Sequence, residues 1–188
     1  MNKKAYFYID DTIWALRDIT RMLPESMFDT PFFNMLKTAH EKYGLVPVFI
    51  PMRYPHDLKI SEEIAELTGC ASYVCKNALS VKEILGLTSS CKAVLGMRLH
   101  TRVFAAGSAV PVVGIVYDKK VSGFLDYIGQ NRSVDTSDMD VEKAKTYIDE
   151  IMENKADISR RLSEKREELK SLAYKNAEIA VKMLGEQI

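Results

Sequence analysis

Three features of the sequence predict an α/β fold with a Rossmann-like, mainly parallel sheet flanked by helices. Short β-prone runs alternate with segments of helical periodicity along the chain. Val110–Val116 (VPVVGIV) is nearly continuously apolar, as suits a parallel strand covered on both faces. The 188 residues carry 47% apolar side chains, enough for a substantial core, with no internal repeat and no Gly/Ser linker. One α/β domain over residues 1–188 is expected. It divides into an atypical start at 1–42, a core at 43–135 and C-terminal helices at 136–188.

Ala5–Ile9 is a short strand candidate, and Asp10 to Phe28 follows as a long connection or irregular helix. Asp29-Thr30-Pro31 supplies a cap residue and then proline near the first helical position, with Phe32, Leu36, Ala39 and Tyr43 at helical spacing up to a stop at Gly44. Val46–Ile50 is strongly β-prone and ends at Pro51. Asp57 is placed to cap a helix through Leu58, Ile60, Ile64, Ala65 and Leu67 that Gly69 terminates. Ser72–Val74 is a weak strand, and Ser80-Val81-Lys82-Glu83 fits a capping box opening a helix to about Thr88. Ala93–Gly96 is a strand, Leu99–Ala106 a helix closed by Gly107, and Lys119–Ile128 a further helix. Two charged amphipathic helices, Asp138 to Met152 and Ile158 to Leu184, close the chain. The last carries Leu162, Leu169, Leu172, Ala173, Ala177, Ala180 and Leu184 as its apolar stripe.

Lysine plus arginine and aspartate plus glutamate balance at 26 each, which excludes a globally basic nucleic-acid binder but not a local charged pocket. Cys70, Cys75 and Cys91 form an odd set without a CxxC pair, so they are expected to be reduced thiols rather than a disulfide framework or zinc knuckle. No apolar run approaches the ~20 residues of a membrane span, and the expected location is the cytoplasm. No Gly-x-Gly-x-x-Gly or Walker loop occurs, and neither a metal site nor a bound cofactor is expected.

In an open parallel sheet, ligands bind beyond the carboxyl ends of the strands. Four such ends carry chemistry: Ile9-Asp10-Asp11, Pro51-Met52-Arg53, Gly96-Met97-Arg98-Leu99-His100 and Tyr117-Asp118-Lys119-Lys120. The third is the most informative. Arg98 and His100 fall where a helix begins, and its free amides and dipole already favour an anion. A guanidinium and an imidazole there strengthen that preference and add a titratable proton donor. From Arg98 to Lys120 the chain has Arg98, Arg102, Lys119 and Lys120 against Asp118, a surplus of three positive charges. Set against this, an arginine or histidine at a helix start is commonly a plain surface residue, and Arg102 has the look of a solvated helix position. Asp10-Asp11 resembles the acidic pair of a receiver domain, but the acceptor aspartate that fold needs is replaced by Cys75-Lys76-Asn77. His56 fits a surface loop, and Cys70 and Cys75 fit small apolar core positions.

Gly96-Met97-Arg98-Leu99-His100, Phe104-Ala105-Ala106-Gly107, Val110-Pro111-Val112-Val113-Gly114-Ile115, Tyr117-Asp118-Lys119-Lys120-Val121 and Gly123-Phe124 together resemble the C-terminal part of the polysaccharide pyruvyl transferase family. Val48-Phe49-Ile50-Pro51-Met52 with Asp57-Leu58, and Ala173, Asn176 and Ala177 in the closing helix, extend the likeness from about Tyr43 to the end. Residues before Tyr43 depart from the pattern. The resemblance implies one half of a two-domain, GT-B-type glycosyltransferase fold, completed by an N-terminal acceptor-binding domain or a second copy of the chain. It implies transfer of a pyruvyl group from phosphoenolpyruvate, the donor substrate, to a sugar or lipid-linked saccharide of a cell-surface polymer. Arg98 and His100 match the family's Arg-x-His pair and Lys120 the lysine after Tyr-Asp, making His100, Arg98 and Lys120 the implied catalytic residues, with Tyr117 joining them in substrate binding. Lys120 is expected to point toward Arg98 and His100, and Lys119 toward solvent. A catalytically silent anion-binding or interaction domain is the alternative from another functional class.

Overall fold

The computed structural model describes residues 5–9, 31–116, 119–135 and 140–185. Six strands form one sheet: β1 (Ala5–Ile9), β2 (Leu45–Phe49), β3 (Tyr73–Val74), β4 (Cys91–Gly96), β5 (Val112–Val116) and β6 (Ser133–Asp135). Their order is β3-β2-β1-β4-β5-β6, and every pairing is parallel. The chain steps outward from β1 to β3, then crosses to β4 and steps outward on the other side. The order therefore reverses between β1 and β4, and parallel α/β sheets bind ligands in the crevice at the carboxyl ends of the strands at such a reversal. Burial of all five residues of β5, and of all but Lys92 in β4, requires cover on both faces of the sheet.

The connecting helices are α1 (Pro31–Tyr43), α2 (Leu58–Leu67), α3 (Val81–Ser90), α4 (Leu99–Gly107), α5 (Lys119–Tyr127) and α6 (Val141–Gly185). Helix α1 buries Phe33, Met35, Leu36 and Ala39. Gly44 follows it with φ +64°, and its N–H bonds the His40 carbonyl at 2.8 Å, while Gly69 follows α2 with φ +60°. Both glycines stop helices because they take the left-handed backbone cheaply. The Ser80–Glu83 capping box is complete. The Ser80 Oγ accepts the Glu83 N–H at 3.3 Å, and the Glu83 carboxylate accepts the Ser80 N–H at 2.8 Å.

The two expected closing helices meet end to end in α6, with a kink between them at Asn154 (φ −116°, ψ 17°), between the expected end at Met152 and the expected start at Ile158. A residue of low helix propensity stands at the junction. Ile148, Ile151, Ile158 and Leu162 are buried, whereas the stripe beyond Leu169 is exposed, with Leu172 at 45% and Leu184 at 68%. The expected Asp10–Phe28 connection lies outside the described residues. No described helix is long and apolar enough to cross a membrane.

A charged latch joins α1 to α6. Asp149 accepts hydrogen bonds from the Lys42 ammonium at 2.9 Å and the Tyr43 hydroxyl at 2.7 Å. These two donors, Lys42 first, hold the Asp149 carboxyl below its ordinary value. A depressed carboxyl contributes stability above its unfolded value near 3.8 and loses it as pH falls through the lower folded value. Asp149→Asn should therefore lower the melting temperature by about 1–3 °C at neutral pH, the scale of a partly exposed ion pair. Melting curves across the acid range should bring the two proteins together once the wild-type carboxyl is protonated.

Candidate active site

The site is built on the β4–α4 turn. Gly96 ends β4, and Arg98 occupies the N-cap position of α4 with extended backbone (φ −74°, ψ 145°) and no capping bond from its own side chain. His100 is the second helical residue and is exposed. The first-turn amides and the guanidinium thus lie at the carboxyl end of β4, beside the point where strand order reverses. This is the helix-start placement expected from sequence, with β2, β4 and β5 parallel members of one sheet.

Arg102 differs from expectation. It is fully buried, not solvated, and is the largest such side chain among the described residues. Its Nε donates to the Gly96 carbonyl at 3.3 Å, and its Nη2 donates to the carbonyls of Met97 (3.0 Å) and Ile115 (2.6 Å). One guanidinium thereby ties the end of β4 and the first residue after it to β5. Gly114, beside this guanidinium, makes room for Leu125. A Cβ there would lie 2.4 Å from Leu125 Cδ1 and 3.4 Å from Arg102 Nε. Arg102 therefore adds no charge to an open pocket, because carbonyl dipoles on several sides absorb its donors.

Asp57 also departs from its expected role. It occupies the N-cap position of α2, but its backbone is helical (φ −90°, ψ −6°) and its side chain makes no capping bond. Its Oδ2 instead accepts the Arg53 N–H at 2.8 Å and faces Arg98 Nη2 at 3.7 Å. Asp57 is wholly buried, while 36% of the Arg98 side chain remains exposed. Arg53 and His56, in the same loop, are exposed. Sequence reasoning missed the link because a helix-capping aspartate and a buried ion-pair partner share the same local pattern.

Lys120 is the second residue of α5, which follows β5, the neighbour of β4. The side chains of Lys119 and Lys120 lie outside the described residues, as does Tyr117. Cys70 and Cys75 are half-buried, Cys91 is buried, and all three are free thiols. Burial pushes the Cys75 thiol up, away from the reactive thiolate. Among the described residues, no cluster of histidine, cysteine or carboxylate side chains is arranged to hold a metal ion.

Residues 29–119 match the polysaccharide pyruvyl transferase family. The match begins upstream of Tyr43, so α1 belongs to it, and it includes both Arg98 and His100 while ending one residue before Lys120. No curated protein matches the sequence significantly. Among solved structures, the catalytic domain of cholesterol-α-glucosyltransferase from Helicobacter pylori is similar with a TM-score of 0.55 at 12% identity, over 92% of this chain and 99% of that one. A trehalose-6-phosphate protein from E. coli bound with UDP-2-fluoro glucose gives 0.51 at 14% identity, over 88% of this chain and 40% of that one. A trehalose-6-phosphate synthase gives 0.54 at 13% identity, over 87% and 39%. The chain spans about two-fifths of the trehalose-related chains. At such identities the likeness is one of fold: a helix-flanked parallel sheet like one half of a GT-B-type glycosyltransferase.

Proposed function

We propose that this chain, whose residues 29–119 match the polysaccharide pyruvyl transferase family, is the donor-binding part of an enzyme that moves a pyruvyl group from phosphoenolpyruvate to a saccharide. The family match and the GT-B-type fold support a polysaccharide-modifying transferase. The observation that carries the donor assignment is Arg98, half-exposed at an N-terminus of α4 that its own side chain leaves uncapped, at the sheet's topological switch point.

Phosphoenolpyruvate carries a carboxylate and a phosphate. A guanidinium holds either through two parallel hydrogen bonds, and the first amides of α4 favour the other group. The donor's methylene carbon must take a proton as a sugar hydroxyl adds at C2 and gives up its own proton. Phosphate then leaves, and a second sugar hydroxyl adds at C2 with loss of its proton to close the ketal. His100, exposed two residues after Arg98, is the proposed acid for the methylene protonation. Lys120, opening the helix after the neighbouring strand, is the proposed second cation, and Tyr117 is a further proposed substrate contact. No cofactor or metal enters the proposed reaction. The acceptor is a sugar or lipid-linked saccharide, bound by a second domain or a second copy of the chain, and the work is assigned to the cytoplasm.

Calorimetric titration tests the donor assignment. Wild type should bind phosphoenolpyruvate saturably, and Arg98→Lys should bind it about 10- to 100-fold more weakly, since lysine cannot imitate the fork. Equal binding by both proteins, or no binding by wild type at millimolar ligand, overturns it.

A further inference from the structure

We propose that Asp57 is the positioning residue of this site, fixing the Arg98 guanidinium at the carboxyl ends of the strands where their order reverses. The inference rests on the donor-site reading and names the group that sets its affinity. Asp57 lies in the loop after β2 and Arg98 in the turn after β4, and β1 is the strand between them. Their ion pair therefore spans the reversal of strand order. A carboxylate with no solvent exposure needs compensation by charge and hydrogen bonds. The Arg53 N–H at 2.8 Å and Arg98 at 3.7 Å are among the groups that supply it to Asp57.

The loop is built around this carboxylate. The Asp57 N–H donates to the Arg53 carbonyl at 3.1 Å, closing a reciprocal pair with the bond in the other direction. The Asp57 carbonyl accepts both the N–H of Ser61 (3.0 Å) and its hydroxyl (2.8 Å), fixing the backbone to α2. Asp57 forgoes the helix cap its position offers. Arg98, in contrast, keeps 36% of its side chain exposed. The ion pair orients the guanidinium from its buried side while part of the Arg98 side chain stays at the surface.

Electrostatics and positioning predict opposite signs, and this makes the proposal testable. By charge alone, Asp57 repels an anion, so Asp57→Asn should tighten binding. By positioning, the same substitution should weaken it. Asparagine preserves an acceptor for the Arg53 amide, so the loop is conserved while the ion pair is lost. Phosphoenolpyruvate is titrated into wild type, Asp57→Asn, Arg98→Lys and the double variant. Asp57→Asn should lose about 5- to 30-fold in affinity, but less than about 2-fold when Arg98→Lys is already present, because Asp57 acts only through the guanidinium. Unchanged or tighter binding by Asp57→Asn, or losses that multiply in the double variant, overturns the proposal.

A second readout needs neither ligand nor variant. In wild type, the Arg98 side-chain NH group should show a restrained 15N relaxation signature, unlike the exposed Arg160 and Arg161. An Arg98 as mobile as those two overturns the positioning role. If the guanidinium is restrained but wild type binds no phosphoenolpyruvate, the donor assignment fails while the positioning of Arg98 stands.

Discussion

His100→Ala is expected to leave phosphoenolpyruvate affinity within a few-fold of wild type while lowering pyruvyl transfer about 10²- to 10⁴-fold, the usual contribution of a positioned general acid. The separation follows from geometry. In the proposed site Arg98 and the first amides of α4 are assigned the anion contacts, whereas His100, exposed at the second helical position, is assigned proton delivery. Loss of the acid removes an interaction made in the transition state and not in the ground state, so turnover falls without a matching loss of binding. Phosphate release from phosphoenolpyruvate, with a saccharide acceptor and the acceptor-binding component supplied, measures the effect. Where transfer is followed as a partial reaction, exchange of the methylene protons with deuterated solvent reports the same proton delivery. Equal rates for both proteins would remove His100 from the mechanism.

Arg102→Leu is expected to destabilise the fold by about 3 kcal/mol or more, because the carbonyls of Gly96, Met97 and Ile115 lose a charged donor inside the core. For a chain of this length that corresponds to a melting temperature roughly 6–12 °C lower. Arg102→Lys should recover only part of the loss, since one ammonium cannot reproduce a fork that reaches two strands. Thermal unfolding of both variants checks the order. A leucine variant as stable as wild type would mean that the carbonyls find other donors and that the guanidinium is not what ties β4 to β5.

Local patterns carried much of the fold. The strand–turn–helix at Gly96–His100 was legible because its parts are contiguous: an apolar strand, a glycine, two basic residues and a helical stripe. Gly44, Gly69 and the Ser80–Glu83 box were legible for the same reason. What escaped depends on residues far apart in the chain. The three-residue β6 carries no periodic signal and exists because β5 offers it a partner. Asp57 and Arg98 meet only when β2, β1 and β4 lie side by side, and nothing in either residue's neighbourhood announces the pairing. Arg102 offered one faint clue, sitting just before the apolar Val103-Phe104-Ala105-Ala106 stretch of its helix. Strand order, which creates the crevice, is a property of the whole sheet.

The donor site is tested most directly by mapping where phosphoenolpyruvate lands. In an amide-resolved NMR titration of the wild-type chain, the signals of Gly96, Met97, Arg98, Leu99 and His100 should shift together and saturate. Signals of the Lys42–Asp149 latch, which joins α1 to α6, should stay in place. Shifts centred elsewhere, such as the apolar groove lined by Val48, Ile50, Tyr73 and Leu87, or no shift at millimolar donor, would contradict the assignment of the β4–α4 turn as the phosphoenolpyruvate site.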